Sequence, residues 1–207
     1  MRKATRVLAA SLGLFAGFGG LEHGYFEILQ GNVRPESIMI ASMGTPCVPE
    51  EVWHLCEPAM TIIPNFLVTG ILSMSLGLVT MIWSAAFVQR PRGGAILTLL
   101  SAGLLLFGGG IFPPLIGMVG GVAGTRINKP MKKQPGPVCG MLAKMWPWTL
   151  IIFIVGLFSQ FVIGYFFNEF LMEKAGALIP ILILGLLVLS VLTGYAHDVK
   201  MTKPIEA

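Results

Sequence analysis

Apolar runs recur along the whole chain, and their lengths set the architecture more firmly than any periodicity within them. Five segments stand out: Val7 to Gln30, Met60 to Val88, Ala95 to Gly124, Trp146 to Phe167 and Leu178 to Tyr195. A helix needs about 20 residues to cross about 30 Å of hydrocarbon, so each is long enough to span a bilayer. The third segment is too long for one crossing, and "FGGGIFPPLIG" interrupts it. Three glycines and Pro113-Pro114 do not continue a straight helix. The segment reads as two short spans joined at Phe112-Pro113-Pro114. A re-entrant loop over Leu115 to Gly124 is the alternative.

Charge chooses between five and six spans, because lysine and arginine collect in cytoplasmic loops. Five spans divide the fourteen basic residues six to eight. Six spans put Arg2, Lys3, Arg6, Arg90, Arg92, Arg126, Lys129, Lys132, Lys133, Lys144, Lys200 and Lys203 on one side, leaving Arg34 and Lys174 on the other. The expected fold is therefore all-α: a single transmembrane domain over 1–207, a bundle of six spans with the third and fourth short. Both termini are cytoplasmic, 31–59 forms an extracytoplasmic cap, and 125–145 is a basic cytoplasmic loop. Trp146 and Trp148 at one end of the fifth span, and Tyr165, Phe166 and Phe167 at the other, suit the two aromatic belts. The basic, apolar opening also has the form of a cleavable signal peptide, but the apolar stretch runs past any cleavage point and reads as the first span.

Composition agrees. The chain is 55% hydrophobic and 12% charged, against about 25% charged in soluble domains. Its net charge of +4 is a topology signal. No stripe of mixed basic and aromatic residues suggests nucleic acid, and the expected partner is the lipid bilayer. Cys47 and Cys56, separated by eight residues in the external segment, are expected to form a disulfide. Cys139, on the cytoplasmic side, is expected to be a free thiol.

The candidate chemistry sits near the outer end of the first span, in "GGLEHGYFEILQGN". At a rise of about 1.5 Å per residue, Glu22 and His23 lie roughly 22 to 24 Å into the hydrocarbon, and Glu27 lies near its outer boundary. His23, Glu27 and Gln30 form one polar stripe, while Glu22 projects from nearly the opposite side. Asn65 and Gln160 fall at a similar depth on other spans. A carboxylate at the bilayer centre costs about 2.5 to 3.5 kcal/mol on insertion scales. With no basic partner nearby, Glu22, His23 and Glu27 suit a proton or a cation, with Asn65 and Gln160 as neutral partners. A bound metal ion fits this set of donors, although nothing in the sequence identifies a cofactor. The structural alternative is that these groups make hydrogen bonds that pin helices together. His54 is a further ligand candidate beside Glu57.

A second stripe on the first span, Gly13, Gly17, Gly20 and Gly24, is a packing face for another helix backbone, from this chain, a second copy or a membrane-protein partner. The motifs G-x-x-x-x-G-K-[ST], H-E-x-x-H and G-x-S-x-G are absent, so no enzyme is expected. The phrases "GLEHGYFEILQGN", "EPAMTIIPNFLVTGIL" and "FGGGIFPPLIG" resemble those of a group of uncharacterised prokaryotic multi-pass integral membrane proteins, over roughly the first 125 residues. The resemblance implies a prokaryotic cell membrane as the location and brings no activity, cofactor or catalytic residue. Two function classes follow: a small channel, transporter or sensor with a proton or cation site near the outer face, or a non-catalytic scaffold or accessory subunit packing through the glycine face.

Overall fold

The structure is a computed structural model that describes residues 1–43, 56–131, 136–176 and 178–202. Among these residues are seven α-helices: α1 (Lys3–Gln30), α2 (Phe66–Ala86), α3 (Gly93–Leu106), α4 (Phe112–Gly124), α5 (Pro137–Met145), α6 (Trp148–Phe170) and α7 (Leu178–Met201). A π-helical turn, Leu171–Ala175, extends α6. Two short strands, β1 (Met39–Ala41) and β2 (Pro58–Met60), pair antiparallel with Ile40 opposite Ala59. Four helices are long and apolar enough to cross a membrane: α1, α2, α6 with its π turn, and α7. The chain is a multi-pass membrane protein by this measure. Cys47, and with it the expected disulfide to Cys56, lies outside the described residues, as does His54.

The other two apolar helices, α3 and α4, have 14 and 13 residues. At about 1.5 Å per residue each is roughly 20 Å long, well short of a hydrocarbon core of about 30 Å. They form a hairpin, but its turn is not at Phe112-Pro113-Pro114. Those three residues are the first turn of α4, where proline costs no hydrogen bond because the first amides of a helix lack an intrahelical partner. The chain reverses instead over Phe107–Ile111, where Gly108 and Gly110 have φ of +87° and +83°. Side chains other than glycine rarely adopt such angles.

Helix α1 is the centre of the bundle. Its glycine stripe is used within the chain, against α2. Cβ atoms built on Gly17 and Gly24 would lie 2.6 Å from the carbonyl oxygens of Gly77 and Gly70, and Gly70 and Gly77 meet α1 just as closely. The facing stripe on α2 is Thr69, Ser73, Gly77, Thr80 and Ser84, whose hydroxyl-bearing members are fully buried. Ser73 Oγ donates to the Gly20 carbonyl at 2.9 Å, while Thr80 and Ser84 donate to carbonyls four residues back in α2. The opposite side of α1 meets the hairpin and α7: Leu8 and Leu12 pack with Ile116, Phe153 and Leu187 in one core, and Ala9 with Val88, Leu97 and Ile127 in another. The outer faces of α6 and α7 remain apolar and exposed, Val155 at 61% and Ile181 at 65%, as lipid-facing positions should be.

The N-terminal end of α1 is closed by a residue from the far end of the sequence. Arg2, at the N-cap, makes no side-chain capping bond. Asp198 of α7 accepts instead from Ala4 N at 2.9 Å, Thr5 N at 2.8 Å and Thr5 Oγ1 at 2.6 Å. A carboxylate there satisfies amides that α1 cannot, and it sits at the positive end of the helix dipole. This ties the two terminal helices together at one end of the bundle, called basal below; the end carrying His23 is the cap end.

Two outcomes follow from this packing. Asp198→Ala should cost about 2–4 kcal/mol of stability in detergent denaturation, since hydrogen bonds to a charged group contribute about 1.5–3 kcal/mol each net of solvent and water reaches part of the freed helix end. A loss below about 0.5 kcal/mol would contradict the capping role. Gly77→Leu should prevent the α1–α2 contact and abolish the folded, monodisperse species in size-exclusion chromatography. Gly156→Leu, which meets nothing within 4 Å, should leave that species intact.

Candidate functional site

The site is built on the last two turns of α1, where a four-residue spacing puts His23 and Glu27 on one face. Both side chains are fully buried, and glutamate is almost never so unless paired. Three segments cover them. The first is the chain around β1: Ser42 Oγ lies 3.2 Å from Glu27 Oε1 and 3.3 Å from the His23 carbonyl, and its single proton can serve one at a time. Gln30 Nε2 donates to the carbonyls of Ala41 and Ser42 at 3.1 and 3.2 Å, anchoring this segment to the end of α1.

The second is the start of β2. Glu57 reaches back so that its Oε2 is 3.2 Å from His23 Nε2. A carboxylate only accepts, so Nε2 carries the proton of that bond. Glu57 is one-third exposed at its side chain, while that of His23 is fully buried, so the pair joins the interior to the surface. Glu22, half-buried, lies within electrostatic range of both Glu57 and His23. It therefore belongs to the His23–Glu57 side of the cluster, whereas Glu27 is held by Ser42.

The third is the hairpin turn. A Cβ on Gly108 would lie 2.5 Å from both carboxylate oxygens of Glu27, and one on Gly110 would lie 2.5 Å from His23 Nε2. The turn's backbone is itself tied down: Gly108 N donates to Met60 O at 2.9 Å, Ile62 N to Leu106 O at 3.0 Å, and Gly109 N to Leu104 O at 2.7 Å. Thr61 Oγ1 meets Thr69 Oγ1 at 2.6 Å, and Thr69 Oγ1 donates to Phe107 O at 3.0 Å. Ribbon, hairpin and α1 thus enclose the imidazole and the carboxyl from three directions. Within the enclosure His23 Nδ1 and Glu27 Oε2 have no hydrogen-bond partner among the described residues. A buried polar atom left unpartnered costs about 1–3 kcal/mol.

The other expected members stand elsewhere. Asn65 caps α2, its Oδ1 accepting from Val68 N at 3.0 Å and its Nδ2 donating to Asn32 Oδ1 at 2.5 Å. Gln160 Nε2 donates to Gly156 O in its own helix at 3.1 Å. Among the described residues, no lysine or arginine pairs with Glu22 or Glu27, and no three His, Cys, Asp or Glu side chains gather where they could share a metal ion. Ser42, Gly108 and Gly110 were not legible as site residues. Their signal is weak in sequence: a serine in a loop, and glycines that first read as a break between spans. No family model, no curated protein and no solved structure matches this chain.

Substitutions in the turn test the enclosure. Gly31 has φ of +81° and open space around it, so Gly31→Ala meets the backbone cost alone, about 1–3 kcal/mol. Gly110→Ala adds a methyl against the imidazole and should cost about 2 kcal/mol more, read as the difference in chemical-denaturation midpoints. Equal losses in the two variants would mean that the turn does not press on His23.

Proposed function

We propose that this chain is a proton-responsive membrane protein, a sensor in which protonation at His23 and Glu27 controls how tightly the β1–β2 ribbon covers the hairpin turn. The observation that carries this reading is the enclosure of two ionisable side chains, each with an unpartnered polar atom, connected to the surface through Glu57. Histidine is the side chain whose ordinary titration falls between about pH 5 and 8. A proton suits the site better than a metal ion, because the described side chains do not gather three ligands around one point. A sensor suits it better than a channel. Between the site and the basal end, Thr80 and Ser84 of α2 donate to carbonyls of their own helix, and the next buried ionisable side chain among the described residues is Asp198 at the far end, engaged by the amides of α1.

A proton-coupled transporter is the second reading, favoured by two half-length helices whose turn meets the ionisable pair; discontinuous helices frame ion sites in many transporters. A scaffold packing through the glycine face of α1 is disfavoured, since α2 occupies that face. In the proposed arrangement the four long helices cross the membrane, and α3 and α4, the short third and fourth spans, enter and return on the cytoplasmic side with their turn level with His23; both termini are cytoplasmic, and the cap with a Cys47–Cys56 disulfide lies outside a prokaryotic cell membrane. The twelve-to-two division of basic residues supports that orientation.

Opening of the cap can be read at Ala59, which is fully buried in β2. Ala59→Cys, with Cys139→Ser, should react with a membrane-impermeant maleimide at a rate that changes about tenfold between pH 5 and 8, one pK unit of differential stability. The rate is normalised to an exposed cysteine at Ile38→Cys. His23→Gln and Glu27→Gln should each flatten the profile. A normalised rate independent of pH, or a pH profile that survives in both variants, would overturn the proposal.

A further inference from the structure

At the basal end, far from His23, a cleft of about 370 Å³ opens between the start of α1, the end of α4 and the last turns of α7. Its walls are of two kinds. Leu8, Val191 and Leu192 make an apolar side, with Leu192 48% exposed toward the surroundings of the bundle. Arg2, Arg126 and Tyr195 make a polar end. The Arg2 guanidinium is held in place: it lies 5.7 Å over the Tyr195 ring, and its Nε and Nη2 donate to the carbonyls of Lys129 and Pro130 at 3.1 and 3.4 Å. Neither Arg2 nor Arg126 has a carboxylate partner among the described residues. The acid nearest in sequence to this end of α7, Asp198, is spent on the amides of α1. Two guanidinium groups therefore stand at one end of a cleft whose other side is hydrocarbon-like and open to the bilayer.

We infer that this cleft binds an anionic phospholipid, with the headgroup phosphate on Arg2 and Arg126 and an acyl chain along Leu8, Val191 and Leu192. Guanidinium groups match phosphate by two parallel hydrogen bonds and are weakly hydrated, which suits them to a partly desolvated headgroup. Basic pockets between transmembrane helices are recognised sites for anionic headgroups. The surrounding surface reinforces the preference, since Lys3, Arg6, Arg90, Arg92, Lys129 and Lys200 occupy the same end of the helices. Inorganic phosphate shares the headgroup chemistry but has nothing to place on the apolar wall.

The test is native mass spectrometry of the full chain from nanodiscs of equal phosphatidylglycerol and phosphatidylcholine. Wild type should retain phosphatidylglycerol in clear preference. Arg126→Gln, an exposed position whose loss leaves the Arg2 contacts in place, should lower retention about fivefold, the effect of one basic residue near an anionic surface. Arg92→Gln, at the same end but outside the cleft, should change it little. Equal retention of the two lipids, or an equal fall in both variants, overturns the site in favour of diffuse surface charge. Thermal shifts with inorganic phosphate alone form the second arm. If phosphate protects wild type as well as the lipid does, and Arg126→Gln removes both effects, the cleft takes free phosphate and the lipid assignment fails.

Discussion

The arrangement of the cap end follows from one constraint: backbone amides and carbonyls shielded from water must find partners within the protein itself. Two helices of 13 and 14 residues cannot reach across the hydrocarbon. Their connecting turn ends level with His23, where the polar backbone of Phe107–Ile111 needs partners. The β2 segment provides them through Met60, Thr61 and Ile62, and Thr69 adds a hydroxyl from α2. Once the ribbon is drawn onto the turn, the last two turns of α1 are covered, and His23 and Glu27 become interior groups. Glycine at 108 and 110 is needed twice over, for its positive φ and for the missing Cβ that lets the turn lie on the imidazole and the carboxylate.

The two ends of α1 handle their unpaired groups differently. At the basal end, Asp198 satisfies two amides and the Thr5 hydroxyl, and each of its oxygens is engaged. That is a closed arrangement, suited to holding the terminal helices in register. At the cap end the accounting stays open, with His23 Nδ1 and Glu27 Oε2 unpartnered among the described residues. Between the two ends, α1 and α2 pack backbone on backbone through glycine. Changes in protonation would then be felt by the ribbon, whose hold on α1 is a few hydrogen bonds, rather than by the helices.

The parts of this architecture that depend on length and composition were legible in the chain. The long apolar helices, the broken third segment, the glycine stripe and the His23–Glu27 face all follow from spacing. The join was displaced by a few residues because Pro113-Pro114 looks like a breaker, whereas at the start of a helix proline is well tolerated. Asn65, placed by depth alone, proved to be a helix cap, since depth carries no azimuth. Asp198 could not be read: its partners, Ala4 and Thr5, lie at the opposite end of the chain, and a single acid near a helix terminus ordinarily faces water. Ser42 and Glu57 were hidden for the same reason, because loops carry no periodicity to say which face of the protein they will cover.

The account turns on whether Glu27 changes protonation inside the closed cap, and infrared spectroscopy observes that event directly. A difference spectrum between acid and neutral buffer should contain a carboxyl C=O band that disappears in Glu27→Gln and shifts in Ser42→Ala, whose hydroxyl faces that carboxylate. A difference spectrum unchanged by Glu27→Gln would mean that this carboxyl does not titrate, and the proton-sensing reading would have to be abandoned.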